Sequence, residues 1–260
     1  MKFFRWYRYI IYWIKNWAFI VLCVFLYSCT KPEGKVGKTI FKKISSKETG
    51  LHFTNSIEEN DTVNLIVNEY SYMGGGVGIG DFNNDGLQDI FFSANQVSSR
   101  LYINEGKNHF KDITEMAGVK TNKWCTGVSV IDINNDGWQD IYICVSGSYS
   151  SEHRRNLLYI NNHNLTFTEQ AADYGLADTS FSTQAAFLDY DKDGDLDMYL
   201  LNNQIGGSNP NNIITKDLSG RSVRNDKLYR NKGVVKEKKH PVFVDASDVA
   251  GIKEDGYAGS

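Results

Sequence analysis

Apolar residues along this 260-residue chain come in runs of three or four, separated by stretches dominated by Gly, Asn and Asp. The runs Val77-Gly78-Ile79, Ile90-Phe91-Phe92, 128–131, Ile141-Tyr142-Ile143, 185–188 and 198–201 are rich in β-branched and aromatic side chains. Bounded by turn-forming residues, they read as β-strands. Beyond the N-terminal leader no stretch sustains a 3.6-residue apolar period, so no helix is expected. The runs pair up around acidic loops, and each pair is followed by Leu-Tyr-x-Asn, beginning at Leu101, Leu158 and Leu228. A Phe then precedes a Gly-aliphatic pair: Phe110 with Gly118-Val119, Phe167 with Gly175-Leu176, Phe243 with Gly251-Ile252. Strand, acidic loop, strand, variable loop, Leu-Tyr strand, turn and Phe strand give four antiparallel strands in about fifty residues, the blade of a β-propeller.

Three such bodies are predicted, at about 73–119, 124–176 and 181–252, within a propeller region spanning 39–260. The last piece of the unit also stands alone upstream, from Phe41 to Gly50-Leu51, and is predicted to be the outer strand of a blade. The fold class is therefore all-β, an incomplete, roughly three-bladed propeller fragment. On this reading 41–51 packs on the first blade, the third blade leaves apolar surface uncovered, and the natural protein continues past Ser260.

The acidic loops "DFNNDGLQD" (81–89), "DINNDGWQD" (132–140) and "DYDKDGDLD" (189–197) share one pattern, D-x-[DN]-x-D-G-x-x-D. Chance would produce it on the order of 10⁻⁶ times per starting position, so three copies report a common task. Oxygen-bearing side chains at alternate positions, with Gly at the sixth, are how a loop wraps a Ca²⁺ ion. In the first loop Asp81, Asn83 and Asp85 offer side-chain oxygens, Leu87 its carbonyl, and Asp89 closes the shell. Asp132, Asn134, Asp136, Trp138 and Asp140 take these roles in the second loop, and Asp189, Asp191, Asp193, Asp195 and Asp197 in the third, giving about three Ca²⁺ sites. An EF-hand needs a Glu at position twelve, where this chain has Phe92, Ile143 and Leu200. Mg²⁺ suits such loops less, since it favours octahedral, water-rich sites. The competing explanation is a set of plain Asn/Asp/Gly turns. Five Asp in nine residues of the third loop count against it, because crowded carboxylates repel.

The loops, the leader "GVGIGDFNNDGLQD" and the Leu-Tyr-x-Asn strand resemble FG-GAP/VCBS repeats, the units of the integrin α-subunit propeller. Within that group the chain is most similar to bacterial lipoproteins of the cartilage-acidic-protein-like kind. The resemblance implies a seven-bladed ring with Ca²⁺ in the hairpin between the first two strands of a blade. It also implies that the loops joining the second and third strands lie on the opposite face, where ligands dock. Those loops lengthen along the chain, and the longest, at 202–226, is a polar insertion. Fold leaves activity open.

Residues 1–28 differ in kind from the rest. Lys2, Arg5, Arg8 and Lys15 precede a short apolar core at 18–26, and Leu26-Tyr27-Ser28-Cys29 resembles a lipobox in which Cys29 is acylated. This predicts a signal peptide, a tether at 29–38, export, and a lipid anchor at a bacterial outer membrane or cell surface. An uncleaved anchor helix at 10–27 is the alternative. Of the remaining cysteines, Cys125 and Cys144 are expected to be buried thiols, because a hairpin folding about Gly137 offsets them by about three residues.

A net charge of −3 argues against a nucleic-acid partner. The five histidines are scattered without metal-ligand spacing and read as surface residues, and neither a Gly-x-Ser-x-Gly nor a phosphate loop occurs. The sequence thus predicts a non-enzymatic, calcium-binding scaffold for a glycan or protein ligand. The alternative is a polysaccharide lyase or hydrolase on the same scaffold, for which only His153-Arg154-Arg155 offers a cluster.

Overall fold

A computed structural model describes residues 40–61, 63–64, 71–147, 150–203, 217 and 219–253, which form three four-stranded antiparallel sheets. The first contains β1 (Val77–Gly80), β2 (Asp89–Phe92), β3 (Arg100–Asn104) and β4 (Phe110–Asp112). The second contains β5 (Cys125–Ile131), β6 (Asp140–Val145), β7 (Leu157–Asn161) and β8 (Phe167–Glu169). The third contains β9 (Ser182–Leu188), β10 (Asp197–Asn202), β11 (Lys227–Val235) and β12 (His240–Asp245). Strands lie side by side in chain order within each sheet. The fold is all-β, a partial propeller of three blades. The leader at 1–28, Cys29, the tether at 29–38 and most of the 202–226 insertion lie outside the described residues.

The chain divides into two compact units, Met1–Ile44 and Ser45–Ser260. Of the first, residues 40–44 are described; they hold no strand, and Phe41 is exposed. The strand expected over 41–51 is not formed. Its second half is instead a single helical turn, α1 (Ser46–Thr49), closed by a Ser45–Glu48 capping box. Matching turns follow the Phe strands: α2 (Thr114–Ala117), α3 (Ala171–Tyr174) and α4 (Ser247–Ala250). One turn is too short to leave a 3.6-residue signature, which is why the apolar pattern missed all four.

Each turn ends on the glycine of the Gly-aliphatic pair, and Gly50, Gly118, Gly175 and Gly251 all have φ between 71° and 77°. That left-handed geometry suits glycine at a helix C-terminus. The glycines also set the blade spacing. A Cβ on Gly50 would strike the carbonyl of Phe110, one on Gly118 would sit 3.5 Å from that of Phe167, and one on Gly175 would strike that of Phe243. The first three turns therefore rest on the Phe strand of the sheet that follows each of them, whereas a Cβ on Gly251 would meet nothing within 4 Å. Beyond α1, Phe53 stacks on Phe92 at 4.9 Å, laying this segment on the first sheet.

The second sheet is covered on both faces, and every residue of β6 and β7 is buried. Period-two alternation sends Ile141, Ile143 and Val145 into a core shared with Phe91 and Leu101 of the first sheet. Tyr142 and Cys144 point the other way, into a core with Met198 and Leu200 of the third. On the third sheet Leu188, Leu201 and Val244 alternate away from this core and remain exposed. The innermost strands approach closely because glycine alternates along the first of them: a Cβ on Gly78 would lie 2.8 Å from methyls of both Val128 and Val130. Between the second and third sheets, Asp178 is buried and accepts from Lys227 Nζ, Tyr229 OH and Ser180 N. Burial pushes its carboxyl up, but the Lys227 charge and these hydrogen bonds outweigh it and hold the group below the ordinary carboxylate range.

Cys125 and Cys144 are both free and buried. A bulge between Cys125 and Val128 places Cys125 opposite Val145, closer to Cys144 than expected. The two side chains nevertheless point to opposite faces of the sheet, one into each core.

Gly175→Ala is expected to destabilise by about 2–4 kcal/mol, combining left-handed strain with the collision at Phe243. Gly251→Ala shares the strain, but a Cβ there meets nothing within 4 Å, so its cost should be about 1–2 kcal/mol. Urea unfolding of both variants measures the difference; equal losses would contradict this account of blade spacing.

Candidate metal-binding loops

The three acidic loops connect β1 to β2, β5 to β6 and β9 to β10, on one rim of the sheets. Their backbones match. The fourth residue is left-handed in each, with φ of 56° at Asn84, 57° at Asn135 and 64° at Lys192. The sixth is also left-handed, with φ of 86° at Gly86, 85° at Gly137 and 97° at Gly194. A Cβ at any of these glycines would meet nothing, so the requirement is conformational rather than spatial.

Side chains at positions one and five hold this shape. Asp81 accepts from the N–H of Asp85 (3.1 Å) and Gly86 (2.8 Å), Asp132 from Asp136 (3.0 Å) and Gly137 (2.8 Å), and Asp189 from Asp193 and Gly194 (both 3.1 Å). Asp85, Asp136 and Asp193 accept from the N–H two residues on, at Leu87, Trp138 and Asp195. At position three, Asn83 and Asn134 each donate an amide N–H to the fifth-position carboxylate, at 2.9 and 2.8 Å.

Position nine does something different. Asp89, Asp140 and Asp197 are fully buried. One oxygen of each accepts the N–H of the loop's second residue: Phe82 at 2.9 Å, Ile133 at 3.1 Å and Tyr190 at 3.2 Å. The other accepts the N–H of the Asn in Leu-Tyr-x-Asn: Asn104 at 2.7 Å, Asn161 at 2.8 Å and Asn231 at 2.8 Å. Those Asn side chains return to the loop and donate to the eighth-position carbonyls of Gln88, Gln139 and Leu196. The loop is thereby fastened to the third strand of its own blade. Burial pushes all three ninth-position carboxyls up; the backbone N–H groups pull them back, and neighbouring loop carboxylates push again. Asp140 reaches about 7. Loops that bury and crowd carboxylates in this way call for a positive charge.

An FG-GAP-like repeat family model matches residues 81–143, from the first residue of the first loop into β6. That stretch, covering the first two acidic loops, is similar to an FG-GAP-like repeat. Cartilage acidic protein 1 of Xenopus tropicalis is 26% identical over 189 residues, covering 72% of this chain and 28% of that protein. The chain thus spans under a third of the curated relative's length.

The third acidic loop brings three carboxylates together: one oxygen each of Asp189, Asp191 and Asp197 lies within 4.8 Å of the others. Oδ1 of Asp191 is buried without a hydrogen-bond partner there. This group could hold a cation, and its hard oxygen donors suit Ca²⁺. The first two loops place Asp81, Asn83, Asp85 and Asp89, and Asp132, Asn134, Asp136 and Asp140, on the same backbone; among the described residues they form no three-carboxylate group of this kind. Leu87, Trp138 and Asp195 occupy the seventh position of the same turns.

Several loop partners were not legible in the motif. Gln139 accepts from the N–H of Asp81 at 2.6 Å, and Asn84 donates to the carbonyl of Gly137 at 3.1 Å, so the first two loops are tied together. His163 places Nε2 3.0 Å from Asp136 and stacks on Trp138 at 4.8 Å. Arg230 lies against Asp191 and Asp193. No spacing rule flags these residues, because each reaches its loop from another strand or blade. Arg154, in the cluster that offered the only catalytic candidate, donates from Nε to the Thr179 carbonyl and covers the Phe181 ring at 4.1 Å.

Asn161 is the most connected of the fasteners, since its amide also reaches the Phe82 carbonyl of the first blade at 2.9 Å. Asn161→Ala leaves several buried backbone groups unpaired and is expected to cost about 1–3 kcal/mol. Thermal unfolding reads this directly; a loss no larger than that of an exposed Asn→Ala control would contradict the fastening role.

Proposed function

We propose that the chain is the blade-bearing part of an exported, calcium-stabilised binding scaffold, not an enzyme, that engages a glycan or protein ligand. FG-GAP repeats suggest a propeller scaffold for adhesion or binding. The observation that carries the calcium reading is a single loop backbone built three times around carboxylates, with a three-carboxylate group in the third copy. Each loop would hold one ion through the side chains at positions one, three, five and nine and the carbonyl at seven. Bound there, Ca²⁺ supplies charge that offsets the crowded carboxylates and stiffens the hairpin. The ligand reading draws support from a hollow at the far end of the inner strands from the loops, lined by Met73, Trp124, Thr126, Gln184 and Asn203.

The anchor reading rests on the leader and Cys29, outside the described residues; among the described residues no helix is long and apolar enough to cross a membrane. Tethered at a bacterial outer membrane or cell surface, the blades would meet calcium at about millimolar levels, where weak extracellular sites fill.

With dissociation constants of about 10⁻⁴ M, millimolar Ca²⁺ should add about 1.4 kcal/mol per site. The melting temperature should rise with Ca²⁺ and fall with chelator, and Asp136→Ala should remove one site's share while the others remain. A melting temperature indifferent to both would refute the calcium reading. Labelled fatty acid should enter the intact chain and not Cys29→Ala; labelling that survives the substitution points instead to an uncleaved helix.

A further inference from the structure

We propose that Arg230 is a tethered counter-cation of the third acidic loop, holding that loop together without metal and making it the weakest of the three calcium sites. The inference rests on the calcium reading of the loops and concerns how this chain grades them.

The third residue of Leu-Tyr-x-Asn is Ile103 in the first blade and Ile160 in the second, both buried. In the third blade it is Arg230, whose side chain remains 40% exposed. Its Nε lies 2.9 Å from Oδ2 of Asp191, an ion pair off the hydrogen-bond axis, and its Nη2 lies 3.8 Å from Oδ2 of Asp193. Asp191 and Asp193 occupy the third and fifth positions, both assigned to the ion.

The reason for a cation here is visible in the other loops. There the third position is Asn, and its amide donates to the fifth-position carboxylate: Asn83 to Asp85 and Asn134 to Asp136. An aspartate at that position has no N–H to give, so Asp191 and Asp193 face each other as like charges. Asp195 adds another carboxylate where the first loops have Leu87 and Trp138. Arg230 supplies the positive charge that the missing amide and the added carboxylates require.

An ion entering the third loop thus meets a positive charge already seated on two of its ligands. It must displace that charge or bind beside it, and either reduces affinity. The site is weakened rather than abolished, because Oδ1 of Asp191 stays unpartnered and one oxygen of each of Asp189, Asp191 and Asp197 remains grouped. The loop richest in carboxylates is then the one least dependent on calcium for its shape.

Calcium titration of the full chain by calorimetry, with melting of the metal-free protein in parallel, tests this. The parent should show two tighter sites and one weaker. Arg230→Ile, which installs the residue of the first two blades, should strengthen the weak site by about tenfold and lower the metal-free melting temperature. Arg230→Lys should stay near the parent. Should Arg230→Ile fold poorly without metal, Asp191→Asn with Arg230→Ile rebuilds the Asn–Ile pairing of the first two loops and should bind as they do. Calcium uptake with affinities unchanged or weakened in the Ile variants would overturn the role of Arg230 alone. Absence of uptake in the parent and every variant would overturn it together with the calcium reading.

Discussion

Asp89, Asp140 and Asp197 each bury a carboxylate whose two oxygens accept backbone N–H groups from different parts of one blade, the loop and the third strand. Because the acceptor is charged, these are the stronger class of hydrogen bond, and they fix where the loop sits relative to the sheet. Burying the charge has a cost, visible in Asp140, whose carboxyl is pushed up to about 7. Everything else about the loops follows from managing that cost. The Asn of Leu-Tyr-x-Asn closes the fastening from the other side, and the remaining carboxylates turn onto N–H groups of the loop itself. A divalent cation is the most direct way to relieve the charge that is left.

The same economy of parts governs how blades meet. A helical turn too short to be stable alone is set on the following sheet by a left-handed glycine, and its packing against that sheet holds it. Alternating glycines at 76, 78 and 80 let β1 come against β5, while the blade faces are filled by side chains that alternate between two cores. Gln139 and Asn161 then carry the loop fastening across from one blade to its neighbour. Loop geometry and blade packing are accordingly one structure.

Much of this was legible in the sequence, because its signals are local. The inner strands follow from runs such as Ile141-Tyr142-Ile143, and the loop conformation from Asp and Gly at fixed positions. What escaped was whatever depends on neighbours in space. The turn at 46–49 hides in a stretch read as strand, since four residues show no period and its glycine matters only against Phe110. Asp89 looks like one more ligand in the motif, whereas in the fold it is also the fastener. His163 and Arg230 look like ordinary surface residues until the turn after β7 brings one onto Asp136 and β11 brings the other onto Asp191.

The central claim is that the acidic loops are cation cages built on a fastened hairpin, not turns that merely contain aspartate. Crystals of the chain grown with calcium, measured at a wavelength where the ion scatters anomalously, test it by position. The account requires anomalous peaks enclosed by Asp81–Asp85 and by Asp132–Asp136, with a weaker one in the loop that Arg230 shares. Well-ordered loops with no peak inside any of them, at saturating calcium, would contradict it.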